Sequence, residues 1–418
     1  DLLHIQRQIA KPPLDPLQLR RRQRVHRARE RRHGRVADGL HDARDRSALH
    51  VEVLRSDFLT QGPMIERFER AVADYCGTAH AVAVNSGTAA LHIACRALDL
   101  GPGDWLWTSP NTFVASANCA LYCGAQVDFV DIDPRTYNLS IEALKIKLER
   151  AAKLNALPKV VVPVHFAGQP CEMREIRTLA ERYGFSVIED ASHAIGARYR
   201  GEPVGNCRHS DIAVFSFHPV KIITTGEGGM ALTNRPDLAE RLRLLRTHGI
   251  TRDPTQMSHE PDGPWYYEQI ELGCNYRMTD FQAALGASQL QKLEGFVSRR
   301  RELAFRYHRL LEGMPLALPW QHPETNSAWH LYVIRLHAGK IGKNRRQVFE
   351  AMQAAGIGVN VHYIPVHIQP NYYKLGFRKG TLLEAERYYE EAITLPLFSS
   401  MSNTQQDAVV SFLKDAMQ

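Results

Sequence analysis

In this 418-residue sequence, the residue best suited to carry out chemistry is a lysine that follows shortly after an apolar run. Lys221 follows the run at residues 212–217, and Ser216 stands five residues before it. In an apolar pocket the pKa of a lysine falls because the charged form is poorly solvated, and the neutral amine attacks carbonyl compounds. A solvated lysine on a turn is the ordinary alternative. The glycine-rich reversal at residues 226–229 favours an irregular segment around Lys221, beside a predicted strand.

Asp190 ends a second predicted strand, at residues 186–190, and His193 follows it. A carboxylate in a cleft at the edge of a sheet can form an ion pair with a protonated ring nitrogen of a ligand. An aspartate that only caps a helix would have the same sequence signature. The position is therefore a candidate ligand site with a purely structural alternative.

Two more polar or aromatic positions follow apolar runs. Ser86, Gly87 and Thr88 lie between a predicted strand and a predicted helix, where backbone N–H groups bind anions. A plain serine or threonine cap would also explain them. Phe113 follows the run at residues 105–109 and is either a ring that stacks on a planar ligand or part of the core.

These positions need a framework that brings the ends of several strands together. Short runs that are apolar on both faces predict strands at residues 81–85, 105–109, 127–131, 159–165, 186–190, 212–217 and 229–233. Helical patterns lie between them, at residues 88–98, 116–123, 141–152 and 171–183. This alternation predicts an α/β fold with a doubly wound, mostly parallel sheet, whose ligands bind at the carboxyl ends of the strands.

The last third of the chain has a different pattern. A helical stretch at residues 279–309 leads away from the sheet. Predicted strands lie at residues 330–336 and 358–362, with one predicted helix between them, at 345–355, and two after them, at 382–392 and 404–416. We expect a large domain at residues 51–300, a smaller α+β domain at 301–418, and an atypical tail at 1–50.

Taken together, the four clusters fit one cofactor. Pyridoxal 5'-phosphate needs a lysine for a Schiff base, an aspartate for its ring nitrogen, an aromatic cover and a cup for its phosphate. The sequence supplies these parts on successive strands, although each cluster alone would decide nothing.

Residues 51–418 resemble the DegT/DnrJ/EryC1/StrS sugar aminotransferases. The resemblance rests on several motifs that occur in order, at residues 56–63, 85–91, 189–194, 215–221, 226–229, 273–284 and 361–367. It implies a fold-type I pyridoxal-phosphate transferase that forms a homodimer with shared active sites.

The resemblance also implies a role for individual residues. Lys221 would link to the cofactor and serve as the base, Asp190 would pair with the ring nitrogen, and His193 would touch the ring hydroxyl. The residues expected to complete the cofactor site are Phe113 over the ring, Asn275 from the neighbouring subunit, and Ser86, Gly87, Thr88 and Ser216 at the phosphate. The residues expected to contact the nucleotide sugar are Asp57, Phe58, Leu59, Thr60, His362, Tyr363, Ile364 and Pro365.

Within the family, residues 59–62 and 362–365 favour the branch that acts in pseudaminic acid biosynthesis. That branch transfers the amino group of glutamate to C4 of a UDP-linked 4-keto-6-deoxy-N-acetyl-hexosamine. Enzymes of the GDP-perosamine or UDP-4-amino-arabinose type remain alternatives. A dehydratase of the same family would lack the lysine at position 221. A non-catalytic regulatory protein on this scaffold would not need Lys221 and Asp190.

The net charge of +7 comes entirely from the first fifty residues, which hold 13 basic and 6 acidic side chains. The remaining residues hold 39 of each, so a nucleic-acid partner is not expected. Three interpretations of residues 1–50 stay open: a basic arm, a solvated tail, or translation outside the native reading frame. No apolar run reaches the length of about 18 residues that spans a bilayer, so no membrane partner is expected.

Seven cysteines without a CxxC pair predict no metal site and no disulfide framework. They are expected to be small buried side chains in a reducing, cytoplasmic setting. Cys119 and Cys123 have an i,i+4 spacing that would let both face one partner on a helix.

Overall fold

A seven-stranded mixed sheet lies at the centre of the computed structural model, which describes residues 43–418, with side chains from residue 49. The strand at Gly229–Thr233 is antiparallel to both of its neighbours, and the other pairings are parallel. The mostly parallel α/β sheet predicted from the sequence is therefore confirmed. In spatial order its strands are β1 (His80–Val84), β9 (Gly229–Thr233), β8 (Ile212–Ser216), β5 (Ser186–Asp190), β4 (Val160–Val162), β2 (Trp105–Thr108) and β3 (Gln126–Phe129).

Fourteen α-helices are present among the described residues. They are α1 (Ala43–Arg55), α2 (Pro63–Cys76), α3 (Gly87–Ala97), α4 (Ala115–Tyr122), α5 (Ile141–Lys153), α6 (Met173–Tyr183), α7 (Pro236–Arg246), α8 (Asp280–Leu290), α9 (Leu293–Leu310), α10 (Ala338–Ile341), α11 (Arg345–Ala354), α12 (Pro370–Lys374), α13 (Leu383–Glu391) and α14 (Asn403–Met417). Among these residues, none of the helices is both long and apolar enough to cross a bilayer.

The sheet is buried on both faces because its strands are apolar at odd and even positions alike. Along β1, Val82 and Val84 enter a core shared with α3, α4 and α7, whereas Ala81 and Ala83 enter a core shared with α2 and α8. α5 and α6 form a third core over β2, β4 and β5. Full burial of a valine or leucine contributes roughly 1.5–3 kcal/mol, so a sequence of this kind is most stable with helices on both sides.

A second, antiparallel sheet forms after the large one. It consists of β12 (Leu316–Ala317), β14 (Tyr332–Leu336) and β15 (Ala392–Leu395), in that order, and packs with α9, α11 and α14. Shorter pairings complete the fold: β6 (Arg198–Tyr199) with β7 (Glu202–Pro203) and β13 (Thr325–Asn326), and β10 (Ile250–Thr251) with β11 (Glu268–Gln269).

α9 belongs to both parts of the fold. Leu293 and Val297 pack into the core of the large sheet, and Leu303 and Tyr307 pack into the core of the second sheet. We therefore keep a boundary near residue 300 as a proposal, with the division inside one continuous helix. The predicted boundary at residue 50 falls inside α1, and the rest of the predicted tail, residues 1–42, lies outside the described residues.

Two sequence predictions differ from the observed elements. Residues 279–309 form α8 and α9, with a break at Gln291 and Lys292, instead of one helix. Residues 358–362 contribute only a single bridge, between Asn360 and Thr394. The strand stops there because the His362 carbonyl accepts a hydrogen bond from the Tyr388 hydroxyl at 2.7 Å, which turns this segment away from the sheet.

Gly168 lies where two chain segments of the site come closest. Its φ is +98°, and a Cβ there would lie 2.9 Å from the His193 carbonyl oxygen and 2.9 Å from the Trp329 nitrogen. Gly184, at the end of α6, has a φ of +78° but nothing within 4 Å of the same position. A side chain added at Gly184 therefore causes backbone strain alone, whereas one added at Gly168 causes both backbone strain and a steric collision.

We expect Gly184→Ala to lower the free energy of unfolding by about 1 kcal/mol, the cost of a left-handed residue. Gly168→Ala should cost a further 1–3 kcal/mol, roughly, because backbone atoms must move apart. Urea unfolding of both variants beside the parent protein measures the difference. Equal losses for the two variants would show that the approach at Gly168 is not tight.

Candidate active site

Neighbouring strands β5 and β8 place a carboxylate and an amine at the same edge of the sheet. Asp190 ends β5 and pairs with Val214 of β8, and Lys221 follows β8 on a turn closed by its N–H to the His218 carbonyl at 2.9 Å. Because parallel strands end together, both side chains reach the cleft at this edge. The Asp190 carboxylate is close enough for its charge to act on the Lys221 ammonium.

The surroundings of Lys221 make its amine easy to deprotonate. Burial lowers the pKa of Lys221 to about 8, although the negative charge of Asp190 acts in the opposite direction. The residue as a whole is only half-buried, so a small molecule can reach it. A partly neutral, reachable amine is the property that a nucleophilic lysine requires.

Two hydrogen bonds fix the position of the Asp190 carboxylate. The Ser116 hydroxyl donates to Oδ2 at 2.6 Å, and the Ser192 N–H donates to Oδ1 at 3.1 Å. Ser116 lies in the first turn of α4, and its oxygen is 2.7 Å from that of Thr112. Ser116 was not predicted from the sequence, since its i,i+4 spacing from Thr112 does not by itself show that it reaches Asp190.

The neighbouring carboxylate, Glu189, points to the other face of the sheet. His165 is 2.8 Å from its Oε2 through Nε2, while the N–H of Cys171 donates to the Nδ1 of the same ring. Since Nδ1 accepts, Nε2 carries the proton and donates it to Glu189. These contacts lower the pKa of Glu189 against the effect of its burial. Of the two acids in this motif, only Asp190 is directed at the cleft.

Aromatic rings line one side of the cleft. The Nε2 of His193 is 3.1 Å from the Tyr363 hydroxyl, and the His193 ring centre lies 4.5 Å from that of His330 and 6.2 Å from that of Phe166. Burial lowers the pKa of His193 well below its usual value, and the charges of Lys221 and His362 add to the effect. His193 is therefore neutral at physiological pH, and its buried Nδ1 has no hydrogen-bond partner among the described residues.

His330 is a second residue that the sequence analysis missed as part of this site. It was predicted only as the first residue of a strand, but it lies just before β14 and is buried against His193. Burial and the charges of His193, Lys221 and Arg300 lower its pKa. No local motif distinguishes it from an ordinary core histidine.

The predicted sugar segment at residues 362–365 divides between interior and surface. His362 lies beside the cleft: burial lowers its pKa to about 4, Lys221 adds to the effect, and its Nδ1 is 2.9 Å from the Thr394 hydroxyl. Tyr363 contacts His193, as described above. Ile364 is exposed and Pro365 is buried. Two residues of this segment, His362 and Tyr363, therefore lie at the cleft that contains Lys221.

The residues of the proposed anion cup lie at the start of α3 and at the end of β8. The Ser86 hydroxyl accepts a hydrogen bond from the Ala89 N–H at 3.0 Å and caps the helix. Gly87 packs so closely on Ser216 that a Cβ on it would lie 2.9 Å from the Ser216 Cβ. Thr88 is half-buried at the same helix end. The N-terminus of this eleven-residue helix thus lies beside Ser216, with the hydroxyl side chains of Ser86 and Thr88 on either side of Gly87.

Three predicted contributors lie at the surface of this chain. Phe113 is 59% exposed, with its ring centre 6.3 Å from that of Tyr363. Asn275 is exposed, and its backbone bridges Thr247. A loop between α1 and α2 is exposed throughout and is anchored to the start of α8 by a Thr60–Thr279 bridge; it holds Asp57, Phe58, Leu59 and Thr60.

Comparisons with known proteins agree on the family. The profile of the DegT/DnrJ/EryC1/StrS aminotransferase family matches residues 41–414. The spore coat polysaccharide biosynthesis protein SpsC of Bacillus subtilis is 40% identical over 87% of this chain and 92% of its own length. PseC of Helicobacter pylori, an aminotransferase involved in the biosynthesis of pseudoaminic acid, superposes with a TM-score of 0.81 at 30% identity, covering 89% of this chain and 96% of PseC.

A third solved relative bears on the cofactor. The PLP form of Spr1654 from Streptococcus pneumoniae, described as a putative sugar aminotransferase, superposes with a TM-score of 0.79 at 28% identity over 90% of this chain and 96% of its own. The present cleft fits the same group, because it offers a reachable amine, a fixed carboxylate, an unpartnered ring nitrogen and a close-packed anion cup. The chain belongs to the DegT/DnrJ/EryC1/StrS aminotransferase family and takes pyridoxal phosphate as its cofactor.

Proposed function

We propose that this aminotransferase moves the amino group of glutamate to C4 of a UDP-linked 4-keto-6-deoxy-N-acetyl-hexosamine, in the biosynthesis of pseudaminic acid. The observation that carries amino transfer is the pairing of a low-pKa lysine, Lys221, with the carboxylate of Asp190 beside an anion cup. The similarity to PseC and the motifs at residues 59–62 and 362–365 support the choice of sugar. The family assignment and the intact Lys221–Asp190 pair leave the regulatory alternative without support.

Each predicted cofactor residue has a task in this proposal. Bound here, pyridoxal phosphate supplies an aldehyde that condenses with amines and a cationic ring that accepts electrons. Lys221 holds the group covalently, Asp190 keeps its ring nitrogen protonated, and the Nδ1 of His193 is free to interact with its ring hydroxyl. The remaining assignments are Phe113 over the ring and Ser86, Gly87, Thr88 and Ser216 at the phosphate.

Lys221 is also the proton carrier of the reaction. Once released by the incoming amine, its amine takes the Cα proton of glutamate, and in the second half-reaction it delivers a proton to C4 of the sugar. A pKa of about 8 suits this role, since the amine both accepts and returns a proton near neutral pH. His193, His330 and Phe166 form a wall that excludes water from this exchange.

The sugar and the second subunit are proposed to meet at the exposed part of the site. His362, near Lys221, and Tyr363, beside His193, would contact the sugar, followed by exposed Ile364 and buried Pro365. In a homodimer, Asn275 would reach the phosphate of the partner's cofactor. The exposed loop with Asp57, Phe58, Leu59 and Thr60 would then be covered and face the nucleotide sugar, which gives a reason for its two surface apolar side chains.

Another nucleotide-sugar 4-aminotransferase activity is the second candidate. It is favoured by the 40% identity to SpsC, which exceeds the 30% identity to PseC. The GDP-perosamine and UDP-4-amino-arabinose types use the same chemistry on a different sugar or nucleotide. We place either reaction in the cytoplasm, since all seven cysteines are free thiols.

The first prediction of the proposed function concerns the Lys221 amine in protein stripped of cofactor. A lowered pKa moves the neutral amine to lower pH, so acetylation of Lys221 should have its midpoint near pH 8, against about 10.4 for an ordinary lysine. Because the Asp190 charge raises this pKa, Asp190→Asn should move the midpoint lower still. Mass spectrometry of peptides labelled between pH 6 and 11 gives both values, with exposed Lys145 as the internal comparison. A midpoint above 10 for Lys221 contradicts the buried amine.

The second prediction separates two neighbouring carboxylates. Asp190→Asn should still bind pyridoxal phosphate but lose transamination by about 100-fold or more, because a neutral amide cannot hold a protonated ring nitrogen. Glu189→Gln, on the other face of the strand, should reduce stability and leave turnover within a few-fold. Glutamate-dependent turnover and the absorption of the bound cofactor are measured for each variant. Normal turnover of Asp190→Asn would refute the role of Asp190.

The third prediction concerns the acceptor. With glutamate in excess, turnover should be highest on the UDP-linked 4-keto-6-deoxy-N-acetyl-hexosamine when UDP-, GDP- and dTDP-linked 4-keto sugars are compared. Conversion of the cofactor to its amine form by glutamate alone is the control for an active site. If that control works and a GDP-linked or pentose acceptor gives the higher kcat/KM, the second candidate function is correct.

A further inference from the structure

Tyr363 and His193 are 170 positions apart in the chain and meet at the wall of the cleft. The Tyr363 hydroxyl lies 3.1 Å from the Nε2 of His193, and the two rings are inclined by only 21°, with their centres 6.1 Å apart. The backbone N–H of Tyr363 donates to the side-chain oxygen of Asn111 at 3.4 Å, and the Phe166 ring lies edge-on to the Tyr363 ring. Backbone and ring contacts therefore hold this hydroxyl against one particular nitrogen of His193.

His193 stands at the same edge of the sheet as the reactive lysine. It lies three residues after Asp190, in a turn whose Ser192 N–H donates to the Asp190 carboxylate at 3.1 Å. Asp190 ends β5, beside the strand that leads to Lys221. The titratable groups that face the His193 ring are Lys221, His330, His362 and Tyr363. The chemical form of this ring therefore bears on whatever binds at the lysine.

The hydroxyl of Tyr363 decides where His193 carries its proton. Burial lowers the pKa of His193 and raises the pKa of Tyr363, so both side chains are neutral. A neutral imidazole has one N–H, and the hydrogen bond at one nitrogen fixes whether the other is protonated. Because a phenol is a stronger acid than a neutral imidazole, the preferred hydrogen bond runs from the Tyr363 O–H to Nε2. The remaining proton of His193 is then on Nδ1.

The Nδ1 of His193 is buried and lacks a hydrogen-bond partner among residues 49–418. His165 shows the ordinary arrangement of a buried histidine: its Nδ1 accepts from the Cys171 N–H at 3.0 Å, and its Nε2 donates to Glu189 at 2.8 Å. A buried donor without an acceptor costs stability, so native proteins rarely contain one. An N–H left over at the edge of a ligand cleft is suited to an acceptor atom of the ligand.

We propose that Tyr363 is a positioning residue, whose hydroxyl keeps the His193 proton on Nδ1 so that His193 donates a hydrogen bond to the ring oxygen of bound pyridoxal phosphate. A neutral donor stabilises negative charge on that oxygen without adding positive charge beside the Lys221 amine. The contact with the ring oxygen rests on the proposed function, whereas the place of the proton on His193 does not.

The proposal connects the second part of the fold to the chemistry of the large sheet. Tyr363 lies on the segment that the Tyr388 hydroxyl holds through the His362 carbonyl at 2.7 Å, and the His362 ring is 2.9 Å from the Thr394 hydroxyl. These contacts belong to α13 and β15. Elements outside the large sheet thereby set the form of a histidine that follows β5.

The first test locates the proton directly. Full-length protein labelled with 15N-histidine is studied by NMR at neutral pH, with the cofactor bound and after its removal, and the signal absent from His193→Gln identifies His193. We expect a protonated Nδ1 and a bare Nε2 in both forms. A protonated Nε2 in either form overturns the proposal, because Tyr363 would then not be the donor. This measurement needs no substitution at Tyr363, so it decides the matter even if a variant there folds poorly.

The second test follows the absorption of the bound cofactor as the pH rises. A donor draws charge from the ring oxygen, which then holds the proton it shares with the Lys221 nitrogen less tightly. Loss of the donor should therefore raise the midpoint pH. We expect an increase of about half a unit to one unit in Tyr363→Phe, the size of one hydrogen bond, and at least as much in His193→Ala.

A double variant shows whether Tyr363 acts through His193. The midpoint of Tyr363→Phe/His193→Ala should equal that of His193→Ala alone, because the hydroxyl has no effect once the ring is gone. Tyr307→Phe is the matched control: it removes a hydroxyl that donates to the Pro396 carbonyl at 2.8 Å, in the core of the second sheet, and should leave the midpoint unchanged. Shifts that add in the double variant, or an unchanged midpoint in Tyr363→Phe, refute the positioning role.

Failure of the proposed function is visible separately. If the predicted midpoint shifts occur but no 4-keto sugar accepts the amino group, the choice of acceptor is wrong and the role of Tyr363 is supported. If amino transfer to the sugar is normal and the Tyr363→Phe midpoint equals that of the parent protein, the positioning role is refuted and the proposed function is retained.

Discussion

The whole site depends on burying an ammonium beside a carboxylate at the carboxyl edge of one sheet. Desolvation of Lys221 outweighs the attraction of Asp190, so the amine keeps a pKa near 8 instead of forming a permanent ion pair. The balance exists only because β5 and β8 are adjacent and parallel, which brings residues 31 positions apart in the chain to one edge. A shift of β5 by one residue would turn Asp190 away and present Glu189 in its place.

The neighbouring elements maintain that balance because they donate hydrogen bonds to the Asp190 carboxylate and place uncharged groups beside the Lys221 amine. Ser116 and Ser192 donate to Asp190, whereas the groups next to Lys221 are neutral histidines, His193 and His362, whose own pKa values are lowered by burial. Further positive charge is thereby kept away from the amine. The close approach of Gly168 to the His193 carbonyl fixes the backbone on the other side of this wall. Gly168 and the buried histidines therefore both contribute to the wall of the cleft beside Lys221.

The sequence predicts the large sheet well because its strands are apolar on both faces and end at polar residues. Six of the seven predicted strands agree with the observed ones to within two residues at each end, and the remaining one, at 159–165, is cut short at Pro163. The proximity of Asp190, Ser216 and Lys221 follows from the same logic. Ser116 and His330 could not be found this way, because a helix turn and a chain crossing, neither of which has a local pattern, bring them to the site. For the same reason the end of the strand predicted at 358–362 depends on a hydrogen bond from Tyr388, 26 positions away.

α3 and α4 connect the catalytic edge to the interior of the protein. Each helix has a polar residue of the site in its first turn, Thr88 in α3 and Ser116 in α4. Packed helices move as rigid bodies more readily than they bend, because their interiors are dense and their backbone hydrogen bonds resist extension. The packing of α3 therefore bears on the anion cup and that of α4 on Ser116, and the core that holds them includes the buried side chains of Leu91 and Ala94.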